Sequence, residues 1–101
     1  MPVYFIVEIK TRNKNKDFYA EYIKKVRPIV EKYNGRYLAR GGKITLVFGT
    51  WNPERVIIIE FPSARDVRRW LDSAEYKKIA RLREKSTATK AIMVEGCDSD
   101  K

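Results

Sequence analysis

Two carboxylates, one arginine beside a glycine pair, and three aromatic rings are the residues here whose types and spacing could do chemistry. Glu8 follows the apolar run Val3-Tyr4-Phe5-Ile6-Val7, and Glu60 follows Val56-Ile57-Ile58-Ile59. Two carboxylates brought close together push one pKa upward and give a group able to hold a proton near neutrality. Glu60 is the candidate acid or base, because burial beside so apolar a run raises a carboxyl pKa. The competing role for either glutamate is a plain ion pair with an arginine at a strand end. Arg40 precedes Gly41 and Gly42. It could offer its guanidinium fork, with the neighbouring backbone N–H groups, to a carboxylate or phosphate. Alternatively it ties the bend to a carbonyl or to Glu60. Trp51, Trp70 and Tyr76 could line an apolar pocket between sheet and helices. For Trp70, ordinary core is the simpler role.

What is missing narrows the chemistry. There is no histidine, which removes the commonest general base and metal ligand and every Ser-His or Cys-His pair. Ser63 and Ser73 therefore read as helix caps, not nucleophiles. The one cysteine, Cys97, sits in a polar tail, so no internal disulfide and no cysteine metal site is expected. Neither a metal nor a cofactor is expected. Acid–base work would fall to Asp, Glu, Tyr or Lys.

The elements that must position these residues follow from periodicity. Four β-branched residues at 56–59 read as a strand made for water on neither face. Val3 to Lys10 is a first strand. Asn15 or Asp17 can cap the helix that follows, in which Phe18, Tyr22, Val26, Ile29 and Tyr33 recur at helical spacing, widened by Tyr19, Ile23 and Val30. Pro28 is expected to kink it. Asn34-Gly35 stops it, with glycine in the left-handed position. Arg36 to Arg40 is a short strand, interrupted by Gly41-Gly42 and resumed over Lys43 to Phe48. Ser63 to Asp66 has capping-box spacing, and Val67, Trp70, Leu71 and Ala74 mark one helical face. Ser73 caps a second helical piece carrying Tyr76, Ile79, Ala80 and Arg83. Ala91 to Glu95 is the last strand.

The order strand–helix–strand–strand–helix–strand predicts an α+β, ferredoxin-like βαββαβ antiparallel sheet with its helices on one face. The first and third strands are expected to be parallel neighbours, which would bring Glu8 and Glu60 to the same end. Apolar residues at both parities of these strands leave the second face unfit for water, so a second copy packed sheet to sheet is expected.

A longer string carries a family resemblance. Tyr33-Asn34-Gly35-Arg36-Tyr37-Leu38-Ala39-Arg40-Gly41-Gly42, then Gly49 and Trp51, then Arg55 to Ser63, then Trp70, Ser73-Ala74-Glu75-Tyr76 and Arg83, and finally Val94-Glu95-Gly96 resemble domain of unknown function 1330. Asn34 stands where that family often has glycine, and Ala74 where it often has proline. The resemblance implies a dimeric α/β barrel, related to small cofactor-free monooxygenases, without an established activity.

At 101 residues the chain is the size of one domain, expected over 1–96 with a flexible tail over 97–101. No apolar run suits a membrane span and no leader pattern opens the chain, so a cytoplasmic protein is expected. The net charge is +9, and the excess lies in the first 50 residues, where 11 Lys and Arg face 4 Asp and Glu. This invites phosphate contact, yet no base-reading motif accompanies it, so nucleic-acid binding is expected to be absent or non-specific. The expected function is a homodimer, joined through its sheet faces, holding a small organic molecule between sheet and helices. A cofactor-independent enzyme is one form of it. The ligand set would be Arg40, Gly41, Gly42, Trp51 and Tyr76, with Glu60 as acid or base. A non-specific nucleic-acid-binding module or a structural or regulatory assembly domain is the alternative.

Overall fold

The computed structural model describes residues 1–12 and 16–97. Asn15, one of the two expected caps, and the end of the tail lie outside the described residues. The elements are β1 (Val3–Thr11), α1 (Lys16–Lys32), β2 (Arg36–Arg40), β3 (Arg55–Phe61), α2 (Ala64–Asp72), α3 (Ala74–Ser86) and β4 (Thr87–Glu95). The strands form one sheet in the order β2-β3-β1-β4, and every neighbouring pair is antiparallel. This is the ferredoxin-like α+β arrangement.

Alternation of side chains across the strands separates two faces. Val3, Val7 and Ile9 of β1, with Ile57, Ile59 and Phe61 of β3, are buried against Tyr19, Tyr22, Val26 and Val30 of α1 and Val67, Trp70, Tyr76 and Ile79 of α2 and α3. The seam of α1 is thus centred on Tyr19, Tyr22, Val26 and Val30. Phe18, expected in the stripe, is exposed. The opposite parity forms the outer face. There the register aligns Ile92 of β4 with Ile6 of β1, Ile6 with Ile58 of β3, and Ile58 with Ala39 of β2. That apolar row crosses all four strands without a helix over it, and Ile92 is 59% exposed.

Four local features differ from expectation, each for a physical reason. β1 and β3 are antiparallel, not parallel. A strand returning after β2 by a direct reversal must run opposite to β2, and so opposite to β1. The stop of α1 places Asn34, not glycine, in the left-handed region, at φ 70°. Gly35 donates to the Val30 carbonyl at 2.9 Å and Asn34 to that of Glu31 at 3.1 Å, closing a Schellman turn. Glycine is needed at 35 for space, since a Cβ would strike Val30 Cγ1 and sit 2.8 Å from the Phe61 ring.

The strand expected over Lys43 to Phe48 does not form. Gly41 turns the chain off the sheet at φ 72°, and its N–H makes the last link to β3, 3.2 Å from the Val56 carbonyl. Beyond it the chain to Asn52 lies exposed and unpaired. Its alternating Ile44, Leu46 and Phe48 have a strand's pattern and no strand beside them. β4 begins at Thr87, four residues before the expected start, with no loop after α3. The hydroxyls of Ser86 and Thr87 turn back to the carbonyls of Leu82 and Arg83 at 2.5 and 2.7 Å, which lets both residues be buried at the junction.

Other expectations hold. Ser63 caps α2, accepting from Asp66 N at 3.3 Å. Ser73 closes α2 and opens α3, accepting from Tyr76 N at 3.1 Å. At Pro28, where a kink is expected, the structure instead has one continuous helix. Among the described residues no helix is long and apolar enough to cross a membrane.

Candidate functional site

A cavity of about 260 Å³ lies between the sheet and the helices. Its sheet wall is Phe5, Val7, Ile9, Ile57 and Ile59; α1 contributes Tyr19, Tyr22, Ile23 and Val26; α2 and α3 contribute Trp70, Leu71, Tyr76 and Arg83. β2 adds Tyr37 and Arg40, the first residue of β3 adds Arg55, and Thr89 and Ala91 of β4 complete the wall. The wall holds three guanidinium groups and no carboxylate.

Each guanidinium is placed differently. Arg40 donates to the Ile23 carbonyl of α1 at 2.7 Å and lies 4.6 Å from the Tyr37 ring centroid, a cation–π distance. The carbonyl it meets is one residue before Lys24, whose usual helical donor Pro28 lacks. Arg83 donates from Nε to the Tyr76 hydroxyl at 3.3 Å, and Tyr76 shares a 3.0 Å hydrogen bond with the Tyr22 hydroxyl. Arg55 lies with its guanidinium carbon 5.8 Å from the Tyr19 ring centroid. Gly41 permits this placement, since a Cβ there would fall on the Arg55 guanidinium.

Three buried polar atoms of the cavity's own lining residues have no hydrogen-bond partner: Tyr19 Oη, Arg55 Nε and Trp70 Nε1. Such atoms are rare in native interiors, where a bound water or a ligand atom completes their hydrogen bonding. Burial raises the pKa of three phenols here, Tyr19, Tyr22 and Tyr37. It drives Tyr22 well above the usual phenol range, with Tyr76 adding to the shift, and pushes Tyr37 up to about 12 against the pull of Arg40. Burial also raises Tyr19, while the nearby Arg55 opposes the shift without completing a hydrogen bond to its oxygen.

Arg40 and Tyr76, two of the residues singled out from the sequence, are brought together at this cavity. Trp70 is both core and wall: it is 2% exposed, and its ring packs 4.7 Å from Tyr76 and 5.5 Å from Phe61, centroid to centroid. Trp51 lies elsewhere, 59% exposed in the segment after β2. Gly41 and Gly42 are exposed and not part of the lining, although Gly41 makes room for Arg55.

Glu60 is on the other face of the sheet. It stands opposite Tyr4 in the ladder and pairs with Arg36 at 2.9 Å, not with Arg40. Glu8 shares that outer face but stands opposite Val56. Glu8 lies four steps along β1 from Tyr4, about 13 Å along a strand, so the two carboxylates form no couple. The antiparallel register is the cause.

Sequence reasoning passed over Tyr19, Tyr22, Arg55 and Arg83 as site residues. A signal existed for Arg55, which shares the parity of Ile57 and Ile59 and so had to face the helices. Arg83 likewise lies on the helical face of Tyr76 and Ile79. Among the described residues, no cluster of three or more His, Cys, Asp or Glu side chains is placed to hold a metal ion.

Solved structures share this fold. RPA0582, a protein of unknown function from Rhodopseudomonas palustris, superposes with a TM-score of 0.82 at 17% identity, covering 96% of this chain and 83% of that one. SnoaB, a cofactor-independent oxygenase from Streptomyces nogalater, gives 0.67 at 10% identity over 97% and 95% of the two chains. A protein of Bacteroides fragilis described as dimeric, ferredoxin-like and of unknown function gives 0.57 at 16% identity over 94% and 96%. No curated protein matches the chain. Residues 2–97 match a family described as Domain of unknown function (DUF1330), and the chain belongs to it.

Proposed function

We propose that this chain is a homodimer whose subunits each hold a small organic anion in the cavity between sheet and helices. The observation that carries the ligand is the wall itself: apolar and aromatic surface, three guanidinium groups, no carboxylate, and buried polar atoms left without partners. A pocket of this kind takes an apolar body and orients it by a few polar contacts. At about 260 Å³ the space suits a molecule of one or two rings. No histidine exists in the chain, and no carboxylate lines the cavity. Binding, not acid–base turnover through Glu60, is what the geometry supports.

The dimer rests on the outer face. The row Ile92-Ile6-Ile58-Ala39 crosses the sheet with no covering helix, and the segment after Gly41 adds exposed Leu46, Val47 and Phe48. An apolar row across a whole sheet face is normally covered by a partner, and a second copy offers the same surface in return. The Bacteroides fragilis neighbour is described as dimeric, which agrees. The aliphatic row is also poor ground for base stacking, so nucleic-acid recognition on this face is disfavoured.

The experiment is an NMR titration of the two tryptophan indole N–H signals. Substituting Trp51→Phe identifies them, leaving Trp70 as the cavity reporter. Adding 1-naphthoate should move the Trp70 signal saturably and leave that of Trp51 in place. A Trp70 signal that stays fixed to the solubility limit of the probe contradicts the reading.

A further inference from the structure

The cavity's three guanidinium groups are not equivalent, and the difference assigns an end to the ligand. Arg40 is committed to the Ile23 carbonyl and the Tyr37 ring. Arg83 is committed to the Tyr76 hydroxyl, which is in turn bonded to Tyr22. Arg55 forms no ion pair among the described residues, and its buried Nε has no acceptor. Beside it Tyr19 is 94% buried, the complement of its 6% exposure, and its hydroxyl also lacks a partner. Glu54, the adjacent carboxylate, is occupied by the backbone N–H and hydroxyl of Thr11. Gly41 keeps open the space against which the guanidinium lies.

We infer that Arg55 and Tyr19 form the seat for a carboxylate, and that the ligand is a small aromatic or alicyclic carboxylic acid bound with its head at this end. The inference rests on the proposed function, since it presumes that the cavity is filled. A carboxylate is acceptor only, with two oxygens and several lone pairs. It can take the Arg55 Nε–H and the Tyr19 O–H together, satisfying two groups that the chain leaves open. The contact to Arg55 is charge-assisted, the stronger kind of hydrogen bond. The apolar body then lies toward Phe5, Ile57 and Trp70. A neutral alcohol of the same shape keeps that body contact and loses the charge-assisted one. A ligand lacking the group a buried site is built to bind is rejected strongly.

The test is calorimetric titration of the full chain with 1-naphthoate and with 1-naphthalenemethanol, its neutral counterpart. The carboxylate should bind at least about tenfold more tightly, as a charge-assisted hydrogen bond implies. Arg55→Met should remove most of that preference while the alcohol's affinity stays within a few-fold. Tyr19→Phe should weaken the carboxylate less, because it removes a neutral donor. Circular dichroism of each variant confirms folding. Equal affinity for acid and alcohol in the parent overturns the seat and leaves the cavity reading standing. Binding of neither probe overturns both. A preference that survives Arg55→Met and vanishes in Arg83→Met overturns the seat by moving it to the other end.

Discussion

Replacing Arg55 with methionine separates what this residue does for the fold from what it does for a ligand. Within the chain its Nε is a buried donor with no acceptor. Leaving such a group unpaired costs about 1–3 kcal/mol, and more when it is charged. The residue as a whole is only half-buried, so solvent screening puts the penalty at the low end, about 1 kcal/mol. Methionine keeps an unbranched apolar stem in the same space and brings no donor. The substitution should therefore stabilise the ligand-free protein by about 1 kcal/mol, a rise in Tm of about 4–8 °C for a chain of this size. The assay is thermal unfolding at one fixed protein concentration, because association of the proposed dimer would make Tm depend on it. Adding 1-naphthoate should raise the Tm of the parent clearly more than that of the variant, which keeps only the contacts to the apolar body. A ligand-free variant melting below the parent would refute the reasoning, because Arg55 would then be a tie that holds the fold.

Three further outcomes are expected. Gly35→Ala drives a methyl into Val30 Cγ1 and the Phe61 ring, both fully buried; overpacking of this kind costs about 1–3 kcal/mol, read as a lower urea midpoint, and an unchanged midpoint contradicts the packing described. Ile58→Lys puts a charge in the middle of the outer row, so light scattering should show a monomer or aggregate in place of the proposed dimer; a parent that runs as a monomer at micromolar concentration removes the dimer. Tyr22 and Tyr37 have folded pKa values raised by burial above the ordinary 10, so the stability they contribute is complete below pH 10 and is lost as pH climbs past it. Phenolate absorbance should consequently lag and then appear with unfolding, and Tyr22→Phe should move the alkaline unfolding midpoint upward. Ionisation of every tyrosine near pH 10 in a still-folded chain would contradict the burial.

The fold was legible because period and punctuation agreed along most of the chain. Val56 to Ile59 announced a strand apolar on both faces, and the structure gives Ile57 and Ile59 to the core and Ile58 to the outer row. Ser63 and Ser73 announced two helix starts through their cap chemistry. Reading failed where geometry, not pattern, decides. Ile44, Leu46 and Phe48 alternate like a strand, but one subunit supplies no neighbour for them. Thr87 to Lys90 lacks an apolar run, yet pairs with β1 because the ladder simply continues from Thr11.

The site was half legible for the same reason. Arg40 beside two glycines and Tyr76 on a helical face pointed to the cavity. Glu60 pointed away from it, because a parity count was not applied to its strand: Ile57, Ile59 and Phe61 take the helix side, which leaves Glu60 with Tyr4 on the other. The same count would have found Arg55. Arg83 meets Tyr76 along one helical face, so that contact is local; what no local pattern reveals is that Arg40 is already occupied, since the Ile23 carbonyl reaches it only through the tertiary fold.

The most direct measurement is a crystal structure of the protein grown with 1-naphthoate. The expected density lies between sheet and helices, rings against Trp70, with a carboxylate oxygen at hydrogen-bond distance, about 2.7–3.2 Å, from Arg55 Nε and the other near Tyr19 Oη. A naphthoate bound on the outer sheet face, or seated in the cavity with its carboxylate turned toward Arg83, would contradict it.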